Sequence, residues 1–176
     1  MATKRAGDIM IPLDQYPHIP YWFTLRQAIA EIELSTIEYD GRKSLPRALL
    51  VFDEKYELVG VLRRRDILGG LEPRFAQRRS STPEGQRHWF DIDVDPNLLD
   101  LSNGASTEMM QKQSELQVEE FMQPIGDTVD VNDPLAKVVY KMLNTDVALL
   151  PVLRDQKVVG VVRSVDVFHE VAGQLL

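Results

Sequence analysis

The chain repeats itself once, and this duplication constrains its fold more than any other feature of its 176 residues. ALLVFDEKYELVGVLRRRDIL at 48–68 aligns without a gap with ALLPVLRDQKVVGVVRSVDVF at 148–168, an offset of 100. Both copies contain Ala-Leu-Leu, a charged turn, and then apolar-Val-Gly-Val-apolar-Arg-x-x-Asp. Such a duplication predicts two similar supersecondary units that pack against each other.

The two copies also match upstream of this core. Met10-Ile11-Pro12 corresponds to Met122-Gln123-Pro124 at an offset of 112, and Thr24-Leu25 to Pro134-Leu135 at an offset of 110. The first copy has about ten extra residues, 37–46, before its Ala-Leu-Leu segment. We predict that these residues form a longer loop.

The secondary-structure pattern is the same in each copy. TLRQAIAEI and PLAKVVYKML have apolar residues at helical spacing, whereas ALLVF and LVGVL are short apolar runs typical of buried strands. Each copy therefore predicts an extended lead-in followed by helix, strand, strand and helix, an α+β fold. We divide the chain into repeat one (1–70), an insertion or linker (71–117) and repeat two (118–176), which together form one module.

Composition excludes several classes of function. The net charge of −7 disfavours generic binding to nucleic acid or to anionic membranes. The chain has no cysteine, and no apolar stretch approaches the ~18 residues that span a bilayer. We therefore expect a soluble, cytoplasmic protein. There is no Gly-x-Ser-x-Gly, Walker or Rossmann motif and no metal-ligand spacing, so neither an enzyme nor a metal site is predicted.

Taken together, these motifs resemble a tandem pair of CBS (cystathionine-β-synthase) domains. The resemblance rests on the Met-x-Pro starts, on Leu-Pro-Val at 150–152, and on the Gly-x-x-Arg-x-x-Asp segments at 60–66 and 160–166. It implies two repeats packed about a pseudo-twofold axis, with clefts between them and pairing of modules into homodimers. It also implies that the clefts bind AMP, ADP, ATP or S-adenosylmethionine to regulate a separate partner protein. Binding is expected there, and chemistry is not.

The resemblance implies roles for the last motif of each repeat, which in the family ends in Thr/Ser-x-x-Asp. Asp66 and Asp166 would accept hydrogen bonds from ribose hydroxyls, which suits an ionised carboxylate. Arg63 and Arg163 replace the Thr/Ser, and a guanidinium can bind phosphate bidentately. Two alternatives stay open. The aspartates can instead cap the following helices, and the arginines can be solvated or paired with carboxylates such as Glu54 or Asp155.

By the same resemblance, the adenine pocket is lined by the first extended segment and the start of the Ala-Leu-Leu strand. In repeat two the candidates are Thr128, Val129, Val147, Ala148 and Leu149, with Ser164 beside Arg163; in repeat one they are His18, Ile19, Ala48 and Leu49. Bulky Arg47, and Val51 in place of proline, make repeat two the better candidate. The competing hypothesis is a ligand-free module that uses the fold for dimerisation alone.

Overall fold

The computed structural model describes residues 4–72 and 103–176. In the first part the elements are α1 (Ala6–Ile9), β1 (Ile11–Pro12), β2 (His18–Pro20), α2 (Leu25–Leu34), β3 (Ile37–Tyr39), β4 (Arg42–Ser44), β5 (Ala48–Phe52), β6 (Leu58–Arg63) and α3 (Arg64–Leu71). In the second they are α4 (Asn103–Gln113), β7 (Gln123–Pro124), β8 (Val129–Asp130), α5 (Leu135–Thr145), β9 (Leu149–Arg154), β10 (Lys157–Arg163) and α6 (Ser164–Leu175). The helix–strand–strand–helix order is that predicted for both copies.

Each of the two four-stranded sheets takes one short strand from the other copy. Their strand orders are β2-β5-β6-β7 and β1-β10-β9-β8. Pro12 of β1 pairs with Gly160 of β10, and Pro124 of β7 pairs with Gly60 of β6. The two copies are thus interlocked through their lead-in segments. The predicted repeat boundaries at residues 70 and 118 follow the duplication in the sequence. As domain boundaries they stay a prediction.

Three apolar clusters stabilise this arrangement. One lies between α5, α6 and their sheet, and another between α2, α3 and theirs. In α5, Leu135, Val138 and Met142 recur at helical spacing and are buried, which is why this segment is an amphipathic helix. The third cluster lies between the two sheets, where Leu50 of the first copy and Val161 of the second belong to one core. Burying apolar surface in this way is worth about 25 cal/mol per Å².

The extra residues of repeat one form a β-hairpin, so the prediction of a longer loop was wrong. β3 and β4 pair antiparallel, with Tyr39 opposite Arg42. Asp40 and Gly41 join them with φ of 50° and 71°, the positive values that a two-residue type I′ turn requires. Ile37 is fully buried in the inter-sheet core and anchors the hairpin there.

Residues 73–102, most of the predicted insertion, lie outside the described residues. The remainder attaches to the first copy. α4 packs against α3. The backbone N–H groups of Arg26 and Leu25 donate to the carbonyl oxygens of Ser114 and Leu116, at 2.9 and 3.0 Å.

Candidate ligand-binding site

Both copies end their strand pairs in the same way. The second strand of each pair stops at an arginine that directly precedes a helix: Arg63 before α3 and Arg163 before α6. Strand pairing places Ala48 opposite Arg63 and Leu149 opposite Arg163. The Ala-Leu and Arg-x-x-Asp segments, which are distant in sequence, therefore meet at one end of each strand pair.

Asp66 is completely buried against Arg63. Arg63 Nε and Nη2 donate to its two carboxylate oxygens, and the Arg63 backbone N–H donates a third bond, all at 2.9 Å. Gln123 Nε2, from the lead-in of the other copy, donates a fourth at 3.0 Å. The hydrogen bonds to Asp66 raise the pKa of Arg63 above its ordinary value. A carboxylate offers about four acceptor positions, so those of Asp66 are fully used.

Asp166 forms the same ion pair with fewer partners. Arg163 Nε and Nη2 donate to its two oxygens at 2.6 and 2.8 Å, and the Asp166 side chain is 9% exposed. Within residues 4–72 and 103–176 these two are its hydrogen bonds, so about two acceptor positions remain for another donor. The third nitrogen of Arg163, Nη1, donates to Ser44 Oγ at 2.8 Å.

These contacts identify the partners of both arginines. The structure pairs Arg63 and Arg163 with Asp66 and Asp166, and not with Glu54 or Asp155, the carboxylates suggested from the sequence. The pairing joins residues i and i+3 at the start of a helix, where an acidic side chain also interacts favourably with the helix dipole. Asp66, which accepts the backbone N–H of Arg63, therefore has the capping role that was the alternative to ligand contact, whereas Asp166 lies in the first turn of α6 without such a bond.

The walls beside the two aspartates differ in accessibility. In repeat one Ala48 and Leu49 are buried, and the Ala48 carbonyl accepts a hydrogen bond from Tyr16 Oη at 2.8 Å. In repeat two Ala148 is exposed, and Val147 and Leu149 are half-buried. Repeat two therefore presents an open apolar wall next to a carboxylate with unused acceptors.

The other candidates are more spread out. Ser164 is exposed in the first turn of α6, and its backbone N–H donates to the Ala148 carbonyl at 2.8 Å. Val129 is buried in β8, opposite Val152, and the Thr128 carbonyl accepts a bond from Lys141 Nζ. The structure thus brings Ala148, Leu149, Arg163, Ser164 and Asp166 together, whereas Val129 belongs to the neighbouring edge strand and Thr128 directly precedes it.

In repeat one, Ile19 is a core residue that, like His18, borders a pocket away from Asp66. Ile19 is 2% exposed and packs in the helix–sheet cluster. The His18 ring bonds Tyr56 Oη through Nε2 and lines a shallow pocket at the β5–β6 turn. Ala48, Leu49, Arg63 and Asp66 are not among the residues that line it. The structure therefore does not assemble the repeat-one candidates around one cavity.

Sequence reasoning missed the contribution of the inserted hairpin. Ser44 bonds Arg163, and Tyr39 lies close enough for Asp166 to contribute to its raised pKa, after the larger effect of burial. Burial also raises the pKa of Tyr16, whose surroundings include Arg163 and Asp166. The Asp40-Gly41 dipeptide was a usable signal for the hairpin. Nothing in the local sequence indicates that the hairpin reaches the second copy.

Two further properties concern the described residues only. None of their helices is both long and apolar enough to span a membrane. Nor do they contain a group of three or more His, Cys, Asp and Glu side chains placed to hold a metal ion.

Comparisons with known proteins agree with this architecture. The CBS domain family matches residues 118–173. The crystal structure of CBSX2 from Arabidopsis thaliana is 18% identical over 99% of this chain and 98% of that chain, with a TM-score of 0.63. A structure of CBSX2 in complex with AMP is 17% identical over 98% and 99%, with a TM-score of 0.61. A putative acetoin utilization protein (AcuB) from Vibrio cholerae is 19% identical over 99% and 93%, with a TM-score of 0.61.

The duplicated sequence, the interlocked sheets and these matches define the class: an α+β protein with the fold of a CBS pair. Residues 118–173 match the CBS domain family. At these levels of identity the solved structures establish the fold alone. No curated protein matches the chain.

Proposed function

We propose that this chain is a regulatory module without catalytic activity that binds an adenosyl ligand, such as AMP, ADP, ATP or S-adenosylmethionine, in repeat two. The observation that carries the proposal is the Asp166 carboxylate, which has about two unused acceptor positions beside the accessible Ala148 and Leu149. A ribose diol supplies two hydroxyl donors at a spacing that one carboxylate can accept. The AMP complex of CBSX2, which has the same fold, supports this ligand class.

The proposed arrangement assigns one part of the ligand to each group of side chains. Adenine would lie on the apolar wall of Val147, Ala148 and Leu149, with Thr128 and Val129 beyond it at the start of β8. Ribose would bond Asp166. Phosphate would contact Arg163 and the Ser164 hydroxyl, at the start of a helix whose dipole favours anions.

Repeat one is the weaker candidate in this proposal. A ligand using His18, Ile19, Ala48, Leu49, Arg63 and Asp66 would have to expose buried Ala48 and Leu49. It would also have to displace one of the four donors to Asp66, and breaking hydrogen bonds to a buried charge is costly. The first ligand should therefore bind in repeat two.

A phosphate on Arg163 suggests how binding would be signalled. Arg163 Nη1 is bonded to Ser44 of the inserted hairpin, so an anion that takes this nitrogen would release the hairpin from its partner. A ligand shifts a conformational equilibrium only as far as it binds one state better than the other. Loss of the Ser44 contact would give the ligand different affinities for the two states of the hairpin. A change in dimer geometry would then convey this shift to a separate partner protein in the cytoplasm.

Titration with adenosine, AMP and ATP by isothermal calorimetry tests the proposal. Affinity should rise from adenosine to ATP, and added salt should weaken ATP binding more than adenosine binding because the phosphate contacts are electrostatic. Asp166→Ala should weaken AMP binding by about 1.5–3 kcal/mol, the value of hydrogen bonds to a charged group. Arg163→Ala should remove the rise with phosphate charge.

Asp66→Ala is the matched control for Asp166→Ala, since it removes the equivalent carboxylate from repeat one. It should lower thermal stability and leave AMP affinity within about twofold, well below the tenfold change that 1.4 kcal/mol represents. An equal loss in both variants would place the site elsewhere, and unchanged affinity in Asp166→Ala would exclude the ribose contact.

A homodimer is the second expectation. Large apolar side chains on α5 and α6 are exposed, among them Leu143 (77%), Phe168 (75%) and Leu175 (79%). Exposed apolar area of this kind commonly marks an interface. Sedimentation at micromolar concentration should give a dimer, and Phe168→Glu should shift it to monomer. A wild-type chain that sediments as a monomer would contradict this.

A ligand-free assembly module remains the second candidate function. The internal Arg63–Asp66 and Arg163–Asp166 pairs favour it, because each arginine occupies both oxygens of the aspartate that would otherwise receive ribose. The two candidates differ in a thermal-shift panel with AMP, ADP, ATP and S-adenosylmethionine. Saturating ligand raises the melting temperature of the binding module and leaves that of the assembly module unchanged.

A further inference from the structure

Repeat one carries a group of aromatic side chains that repeat two lacks. They lie on the segment after β2 and on the turn between β5 and β6. Because the fold is duplicated, the strand register gives four of them counterparts in repeat two: His18/Thr128, Tyr21/Val131, Trp22/Asn132 and Phe52/Leu153. Tyr56 lies in the turn 54–56, whereas the corresponding turn of repeat two consists of Asp155 and Gln156 alone. The second copy forms the same strands without any of these rings. The aromatic group is therefore not required by the fold.

Four of these side chains line a pocket of about 210 Å³, whose lining includes His18, Trp22, Phe52, Asp53, Glu54 and Tyr56. Phe52 and Tyr56 stack with ring centroids 4.7 Å apart and planes at 16°. The His18 ring meets both edge-on, at 5.5 and 5.8 Å. This volume lies below the roughly 300–1,000 Å³ of pockets for drug-sized molecules, so the pocket suits a small ligand.

Hydrogen bonds hold the rings in place. His18 Nδ1 lies 2.9 Å from the Tyr16 carbonyl oxygen, which can only accept, so Nδ1 carries a proton. In the neutral ring Nε2 then accepts from Tyr56 Oη, also at 2.9 Å. Yet Tyr56 is 60% exposed and Trp22 46% exposed. The Tyr56 ring is thus held by a hydrogen bond without being buried.

The pocket is also acidic. Asp53 and Glu54 line it, whereas the residue that takes the place of Asp53 in the strand register of repeat two is Arg154. Asp53 Oδ1 accepts the backbone N–H groups of Lys55 and Glu57, each at 2.9 Å, which positions this carboxylate. The negative potential is evident at the adjacent Tyr21, whose pKa is raised chiefly by Glu54.

We propose that this pocket, the aromatic–acidic pocket of repeat one, binds a small organic ammonium ion. The faces of tryptophan and tyrosine rings attract a cation through their quadrupole, and the attraction strengthens where the cation loses water. The two carboxylates add direct charge attraction. A substituted ammonium group combines a positive charge with apolar methyl or methylene surface, which matches a pocket with both properties.

The test uses the full-length Trp89→Phe variant, in which Trp22 is the remaining tryptophan of the two in the chain. Titration with choline should change Trp22 fluorescence in a saturable way, with a dissociation constant on the order of 1 mM. The uncharged carbon analogue 3,3-dimethylbutan-1-ol should give no saturation at the same concentrations. Glu54→Gln should weaken choline binding by a factor of about 3, which corresponds to about 0.6 kcal/mol of lost charge attraction.

Tyr56→Gln removes the aromatic face and should weaken choline binding about tenfold or more. The backbone tolerates glutamine, since Gln156 in the shorter turn of repeat two has φ 64°, close to the 60° of Tyr56. Gln156→Ala is the matched control and should bind choline like the parent. The proposal is overturned by absence of saturation with choline, by equal binding of the neutral analogue, or by unchanged affinity in folded Tyr56→Gln.

Discussion

Replacing Gly160 by alanine should lower the free energy of unfolding by about 3 kcal/mol, the upper range for forcing an extra group into a packed interior. A Cβ on Gly160 would overlap the carbonyl oxygen of Ile11 and lie 3.0 Å from Met10 Sδ. Ile11 belongs to β1, the strand that the first copy contributes to the second sheet. The substitution should therefore weaken the contact that interlocks the two copies.

Urea unfolding at one fixed protein concentration measures this effect, since association changes apparent stability. Gly173→Ala in α6 is the control, because no atom lies within 4 Å of the added Cβ and alanine favours helices. Gly60→Ala should be intermediate, because its Cβ would lie 2.6 Å from Sδ of the flexible Met122 side chain and 2.9 Å from the Gln123 carbonyl oxygen, a milder backbone overlap than that at Gly160. Equal stability of Gly160→Ala and Gly173→Ala would show that close packing of β1 against Gly160 does not contribute to stability.

The amino-acid sequence allows the repeated unit to be predicted but not the exchange of β1 and β7. Gly60 and Gly160 are identical in the two copies, which indicates a position where a side chain does not fit. A glycine does not reveal which backbone approaches it. The periodicity of apolar residues predicts which face of a strand is buried, and an edge strand of two residues leaves too short a pattern to predict its partner.

The candidate site was predictable to a similar degree. Ala148, Leu149, Arg163 and Asp166 are local to one hairpin and the helix after it, so their convergence follows from the strand–turn–strand pattern. The Arg-x-x-Asp spacing also allows an ion pair across one helical turn. This signal was missed because the arginines were interpreted as phosphate ligands in place of Thr/Ser. Ser44 lies 119 residues from Arg163. Its contact depends on tertiary packing that no local pattern encodes.

Replacing Arg63 by methionine should destabilise the chain by about 2–3 kcal/mol. Methionine keeps much of the apolar stem but leaves the fully buried Asp66 without the two guanidinium bonds. Removing one partner of a buried ion pair costs about 3–5 kcal/mol, and we take a lower value because the Arg63 side chain is 38% exposed. Arg64→Met, at the exposed neighbouring position, should change stability by less than about 0.5 kcal/mol.

The double variant Arg63→Met/Asp66→Leu separates this ion pair from general packing. Replacing both members of a buried pair by apolar groups of similar size is often close to neutral. Asp66 also accepts from Gln123 and from the Arg63 backbone N–H, and leucine leaves these two donors without an acceptor. The double variant should therefore recover only part of the stability lost in Arg63→Met, with a coupling of about 1–2 kcal/mol in the double-mutant cycle. Zero coupling would mean that the arginine stabilises helix α3 through its stem alone, and not through its bonds to the Asp66 carboxylate.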